Sequence, residues 1–107
     1  MPLYLYQAAY TPESLGAQMK DPQDRLTVVN QMFGTVGAKI IGGGFCFGEY
    51  DVVALVDAPD DRTMAAIAVA VGAGGAVRNA KTTPLIPGNE YVEVLKKAGS
   101  VGYRAAR

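Results

Sequence analysis

In "LYLYQAAY", residues 3–10, hydrophobic and polar positions alternate: Leu3, Leu5 and Gln7 fall on one face and Tyr4, Tyr6, Ala8 and Tyr10 on the other. Period two with β-favouring aromatics predicts a strand, and because both faces are largely apolar, both are expected to be covered. Thr11-Pro12-Glu13 is a helix-start signal for a short segment reaching Lys20. Asp21-Pro22 is a second, with the acid as N-cap and proline at the first helical position. The helix predicted from Pro22 sets Leu26, Val29, Phe33 and Val36 on one stripe until Gly34 and Gly37 end it.

Residues 38–47 and 50–58 then read as two strands, with Gly48-Glu49 as a two-residue II′ corner between them. Gly42-Gly43-Gly44 inside the first of these strands reads as a bulge or a segment of close backbone approach. Pro59-Asp60-Asp61 closes the second strand and caps a helix to about Gly72, ended by Gly72, Gly74 and Gly75. Residues 77–85 predict a further strand. Residues 89–98 predict a terminal helix that buries Tyr91, Val94, Leu95 and Ala98. The order β-α-β-β-α-β plus a C-terminal helix predicts an α+β, ferredoxin-like domain over residues 1–98, with a four-stranded antiparallel sheet carrying two helices on one face. Residues 99–107 read as a mobile basic tail.

Two features of this pattern do not suit a monomer. The segment Thr63 to Val71 is apolar almost all round, whereas a helix on a single small sheet needs a polar outer side. The sheet face away from the helices is expected to carry Tyr4, Tyr6 and alternate residues of the glycine-rich strand, an apolar surface that a soluble monomer rarely leaves bare. The sequence therefore predicts a homodimer or higher homo-oligomer, most simply two sheets face to face.

Composition narrows the function classes. Ten basic and ten acidic residues give a formal net charge of zero, and no Lys/Arg cluster with interleaved aromatics replaces it, so nucleic acid is not an expected partner. The longest apolar stretch, Met64 to Val77, falls short of the ~20 residues needed to cross a bilayer, so no membrane partner is expected either. One cysteine and no secretory leader pattern point to the cytoplasm. Histidine is absent, which removes His-based triads and most zinc and haem sites. Chemistry is left to carboxylates, tyrosines, lysines, the lone thiol or a chain terminus, and no cofactor is implied.

The stretch "GGGFCFGEYDVVALV" does not match a phosphate loop. Five residues after Gly43 stands Gly48, but Glu49 and Tyr50 occupy the places of the Lys and Ser/Thr of a P-loop, and Phe47 takes the last glycine position of the dinucleotide pattern. Gly48, Tyr50 and Asp51 instead reproduce the Gly-x-Tyr-Asp signature of the GYD domain family. They are followed, as in that family, by the apolar strand "VVALVDAPDD" and an alanine-rich helix. The opening strand with its tyrosines, Asp24-Arg25-Leu26 and Gly75-Ala76-Val77-Arg78 extend the resemblance over most of residues 3–95. The resemblance implies a ferredoxin-like fold similar to the dimeric α/β-barrel proteins, and it implies no particular chemistry.

Several roles are open for the signature. One of Tyr50 and Asp51 ties the corner to backbone N–H groups while the other covers a sheet edge. Alternatively Asp51, with Tyr50 and Gly48 beside it, is a general base or polar anchor at the rim of a cavity between sheet and helices, walled by Tyr4, Tyr6 or Phe47. Arg78 and Lys81 would hold an anionic ligand there, or be solvated partners of Asp51 and Glu49. Cys46, between Phe45 and Phe47, reads as a buried small hydrophobe. The leading expectation is a homo-oligomer that binds a small molecule between sheet and helices or at the subunit interface. The alternatives are a cofactor-free isomerase or lyase using Asp51 with Tyr50, a tautomerase using the amine of Pro2 exposed by loss of Met1, and a module whose buried faces serve only assembly.

Overall fold

The computed structural model describes residues 2–106. Met1 and Arg107, the outer ends of the expected domain and tail, lie outside the described residues. The first strand, β1 (Leu3–Tyr10), is central and pairs antiparallel on both sides. It is followed by two helices, α1 (Pro12–Lys20) and α2 (Arg25–Gly34), then by β2 (Lys39–Phe45), β3 (Val52–Asp57), α3 (Asp61–Ala73), β4 (Val77–Leu85) and α4 (Gly88–Gly99). The four strands form one antiparallel sheet in the order β2-β3-β1-β4. The α+β class and the four-stranded antiparallel sheet are those expected from the sequence, and two separate helices, α1 and α2, stand where the expected β-α-β-β-α-β order has one.

Local chemistry sets the helix starts. Thr11 caps α1 by accepting the Ser14 N–H at 3.1 Å, with Pro12 in the first turn, and Asp60 caps α3 by accepting the Thr63 N–H at 2.8 Å. That bond to the Thr63 amide holds the Asp60 carboxyl below the usual carboxylate range. α2 does not start at Pro22. Asp24 is its cap, because Asp24 Oδ1 takes the N–H groups of both Leu26 and Thr27 while its Oδ2 accepts the Thr27 hydroxyl at 2.8 Å. Proline disfavours helical backbone in the residue before it, and Asp21 ends α1 with φ −138° instead of opening α2.

The glycine-rich strand contains the expected irregularity. Its register shifts between Ile40 and Gly42, and a Cβ at Gly43 would lie 2.2 Å from the Val53 carbonyl oxygen, so only glycine fits there. The corner after it is wider than a two-residue turn. β2 ends at Phe45 and β3 begins at Val52, the connection being closed by the Cys46 N–H donating to the Asp51 carbonyl at 2.8 Å. β1 outruns this hairpin and recruits Asp51: the Asp51 N–H donates to the Ala8 carbonyl at 2.9 Å, which ties Asp51 to β1 and not into a tight corner.

The core lies between the helices and one sheet face. Tyr4, Tyr6 and Ala8 of β1 and Val52, Ala54 and Val56 of β3 are buried there with Phe33, Met64 and Ile67. This corrects the expected orientation of β1, since its tyrosines face the helices. The outer face is formed by Leu3, Leu5 and Gln7, which pair with Asp57, Leu55 and Val53, so it is the leucines that look outward. Opposite Leu55 and Val53 on the edge strand stand Gly42 and Gly44, leaving that side flat.

The terminal helix also departs from expectation. α4 forms, but none of its residues is buried; Tyr91, Val92, Val94 and Leu95 are exposed. Its polar and apolar residues nevertheless segregate onto opposite sides, as a packed helix requires. The molecule measures 57 × 34 × 22 Å with a radius of gyration of 17.1 Å, against roughly 13 Å for a compact chain of this length. Residues 100–106 carry no helix or strand. Among the described residues no helix is long and apolar enough to cross a membrane.

Candidate functional site

A cleft of about 630 Å³ opens between α2, α3 and the inner sheet face. Its floor is Tyr6, Ala8 and Tyr10 of β1 with Val52 and Ala54 of β3, and its walls include Leu26, Val29 and Phe33 of α2 and Ile67, Ala70 and Val71 of α3. The small residues of the floor and of α3 create the space: alanine at positions 8, 54, 66 and 70 leaves a gap where larger side chains would close the two helices onto the sheet. Its volume lies within the range of about 300–1,000 Å³ typical of small-molecule sites.

Four polar side chains interrupt this apolar lining: Tyr6, Tyr10, Arg25 and Thr35, whose hydroxyl is already spent donating to the Met32 carbonyl at 2.7 Å. Tyr6 is only 6 % exposed and its hydroxyl has no hydrogen-bond partner among the described residues. Burial, with Tyr10 nearby, raises its pKa, so it stands as a neutral donor. Tyr10 is half-buried and its pKa is also raised by burial, opposed by the positive charge of Arg25 and reinforced by the negative charge of Asp51. Arg25, in the first turn of α2, is partly buried and has no carboxylate within ion-pair distance among the described residues, where the single ion pair is Lys96–Glu93 on α4. An orphaned phenol and an uncompensated guanidinium in one greasy cleft form a site that donates hydrogen bonds and accepts negative charge.

The residues singled out from the sequence are spread more widely. Tyr6 lines the cleft. Tyr4 is buried in the core, where its hydroxyl donates to the Asp61 carboxylate, and that bond pushes its pKa up to about 12. Asp51 accepts the Tyr10 N–H at 2.8 Å through Oδ2 and is not part of the cleft lining. Tyr50, half-buried, accepts a hydrogen bond from Cys46 Sγ at its carbonyl, 3.2 Å away. Gly48 sits in the connecting loop at φ +125°, and Phe47 beside it is 96 % exposed. Arg78 is exposed at the register shift of β4, and Lys81 pairs with Gln7 on the outer face. Pro2 borders an open depression with Asp60, Asp61 and Arg62, at the opposite end of β1 from Asp51 and about 20 Å from it by the rise of a strand.

Arg25 and Tyr10 belong to the cleft and were assigned no role from the sequence. The signal for Tyr10 was its period-two match to Tyr6, and for Arg25 its place directly after the Asp24 cap. The GYD domain model matches residues 4–95, which takes in β1 from Tyr4 onward, β2 to β4, α1 to α3 and most of α4.

The chain belongs to the GYD domain family.

No functionally curated protein matches it. In this GYD domain the aspartate of the signature serves as a brace. Through one backbone N–H and one carboxylate oxygen, Asp51 clamps the end of β3 to the end of β1, beneath the tyrosine that floors the cleft.

Proposed function

We propose that this GYD domain is a cytoplasmic small-molecule-binding homo-oligomer of the ferredoxin-like type. Its ligand occupies the cleft between α2, α3 and the sheet, and copies pair through their outer sheet faces in the manner of the dimeric α/β-barrel proteins. The observation that carries the binding reading is the buried, unpartnered hydroxyl of Tyr6 on the floor of an apolar cleft of about 630 Å³. A buried polar group without a partner costs about 1–3 kcal/mol, and such a group is retained where something else satisfies it.

Support for pairing comes from the opposite side. Leu3, Leu5 and Leu55 share an outer face flattened by Gly42 and Gly44, and one carboxylate oxygen of Asp57 on that face is buried without a partner. α3 turns Val69 and Ala65 outward, and α4 holds an apolar stripe, Tyr91, Val92, Val94 and Leu95, none of which is buried. Area that soluble monomers rarely expose is thereby available to a second copy.

A neutral environment-sensitive dye, N-phenyl-1-naphthylamine, tests the cleft. Its fluorescence is expected to rise saturably at one dye per chain. Ala70→Trp, which fills the cleft from an exposed position on α3, is expected to abolish the rise while preserving the circular dichroism spectrum. A dye response unchanged by Ala70→Trp would count against binding in this cleft.

A further inference from the structure

We infer that the ligand is an amphiphilic monoanion: an apolar, aryl-sized body with a carboxylate bound by Arg25 at one end of the cleft and a carbonyl-type oxygen accepting from Tyr6 in its middle. This rests on the cleft being the binding site. Arg25 offers only donors and a permanent positive charge, and the unpartnered Tyr6 phenol offers an O–H to donate, so together they select a molecule with acceptors and a negative charge over a cation or a pure hydrocarbon.

The geometry gives the spacing. Tyr6 and Tyr10 lie four residues apart on β1, about 13 Å along the strand, and Arg25 enters at the Tyr10 end, where its charge acts on the Tyr10 phenol. The strand rise between those positions puts the acceptor and the carboxylate of a bound molecule on the order of 10 Å apart, a span filled by apolar atoms. Leu26, Val29, Phe33, Ile67 and Val71 surround that span and offer no other charge. Asp51 has one carboxylate oxygen bound to the Tyr10 amide and forms no ion pair with Arg25 within 4 Å among the described residues, which leaves the guanidinium available to a ligand.

Competition against N-phenyl-1-naphthylamine tests this with matched compounds. The reference is 4-(4-benzoylphenyl)butanoate, in which one ring and three methylenes separate ketone from carboxylate. Its methyl ester removes the charge, and 4-(4-benzylphenyl)butanoate removes the ketone. The keto acid is expected to compete about tenfold more strongly than either, since a charge-assisted or buried hydrogen bond is worth about a factor of ten. Arg25→Gln is expected to remove the preference for acid over ester. Tyr6→Phe is expected to remove the preference for ketone over methylene only. If the dye binds and is displaced equally by all three compounds, with neither variant changing the ranking, the ligand class is overturned while the cleft stands. If the dye does not bind in the cleft at all, both readings fall.

Discussion

Asp51 Oδ2 accepts the backbone N–H of Tyr10 at 2.8 Å. Asp51 also donates its own N–H to Ala8, so one residue extends the β1–β3 pairing past the last regular rung and replaces a ladder bond with a side-chain bond. Asp51→Ala removes the acceptor and leaves the Tyr10 amide unpaired, a loss of about 1–3 kcal/mol. Asp51→Asn retains a carbonyl oxygen for the same amide and is expected to cost less. Urea denaturation of the two variants checks the order; equal, negligible losses would show that the clamp contributes nothing.

The three glycines differ sharply in what they tolerate. Gly43 has φ +138° and its missing Cβ would strike the Val53 carbonyl, whereas Gly44 has open space around it. Gly43→Ala is expected to destabilise by on the order of 3 kcal/mol through strain and displacement of β3. Gly44→Ala should change stability by less than about 1 kcal/mol. Denaturation midpoints of both variants at equal protein concentration make the comparison.

Tyr6→Phe deletes a buried hydroxyl that has no partner and leaves the ring in place. In ligand-free protein it is expected to raise stability by about 1 kcal/mol, which for a domain of this size lifts Tm by about 4 °C or more. Gain of stability with loss of ketone selectivity is the signature of a group kept for binding. A drop in Tm would mean that the hydroxyl is satisfied in solution.

Alkaline pH acts through Tyr4. Its hydrogen bond to Asp61 stabilises the neutral phenol and moves its pKa from 10.0 to about 12 in the folded chain. A raised folded-state pKa contributes stability that is fully present below pH 10 and is lost as pH climbs through 12. Tyr6 and Tyr10, raised chiefly by burial, act in the same direction. Wild-type stability is expected to fall over this window, and Tyr4→Phe should fall less steeply; parallel pH profiles would contradict the assignment.

Pairing through the outer sheet face predicts that Leu5→Lys yields single chains. Leu5 sits opposite Leu55 on that face and away from the cleft, so the variant should stay folded and sediment as a monomer at micromolar concentration while the wild type sediments as a dimer or larger. Identical sedimentation of the two would remove this interface.

The elements were legible where one residue decides them. Thr11 and Asp60 carry cap signals that the folded chain uses as they stand, and Gly43 marks a close approach with its own missing Cβ. Asp21 and Asp24 compete for the start of α2, and the winner depends on which acid can reach two free amides. The orientation of β1 was not legible, because both of its faces are apolar and periodicity alone does not say which face meets the helices. The hairpin corner failed for a long-range reason: Asp51 is claimed by Ala8 and Tyr10, more than forty residues earlier. The cleft is of the same kind. Its phenol and its guanidinium come from β1 and α2, and its volume comes from alanines on β1, β3 and α3 that look unremarkable one at a time.

The occupancy of the cleft is tested most directly by light. The benzophenone of 4-(4-benzoylphenyl)butanoate inserts into nearby C–H bonds on irradiation, so peptide mapping of the irradiated complex reads out where the molecule lies. Adducts confined to the segments carrying Leu26 to Phe33 and Ile67 to Val71, and suppressed by Ala70→Trp, are the expected result. Adducts on α4 or the outer sheet face, or labelling that Ala70→Trp leaves unchanged, would contradict the account.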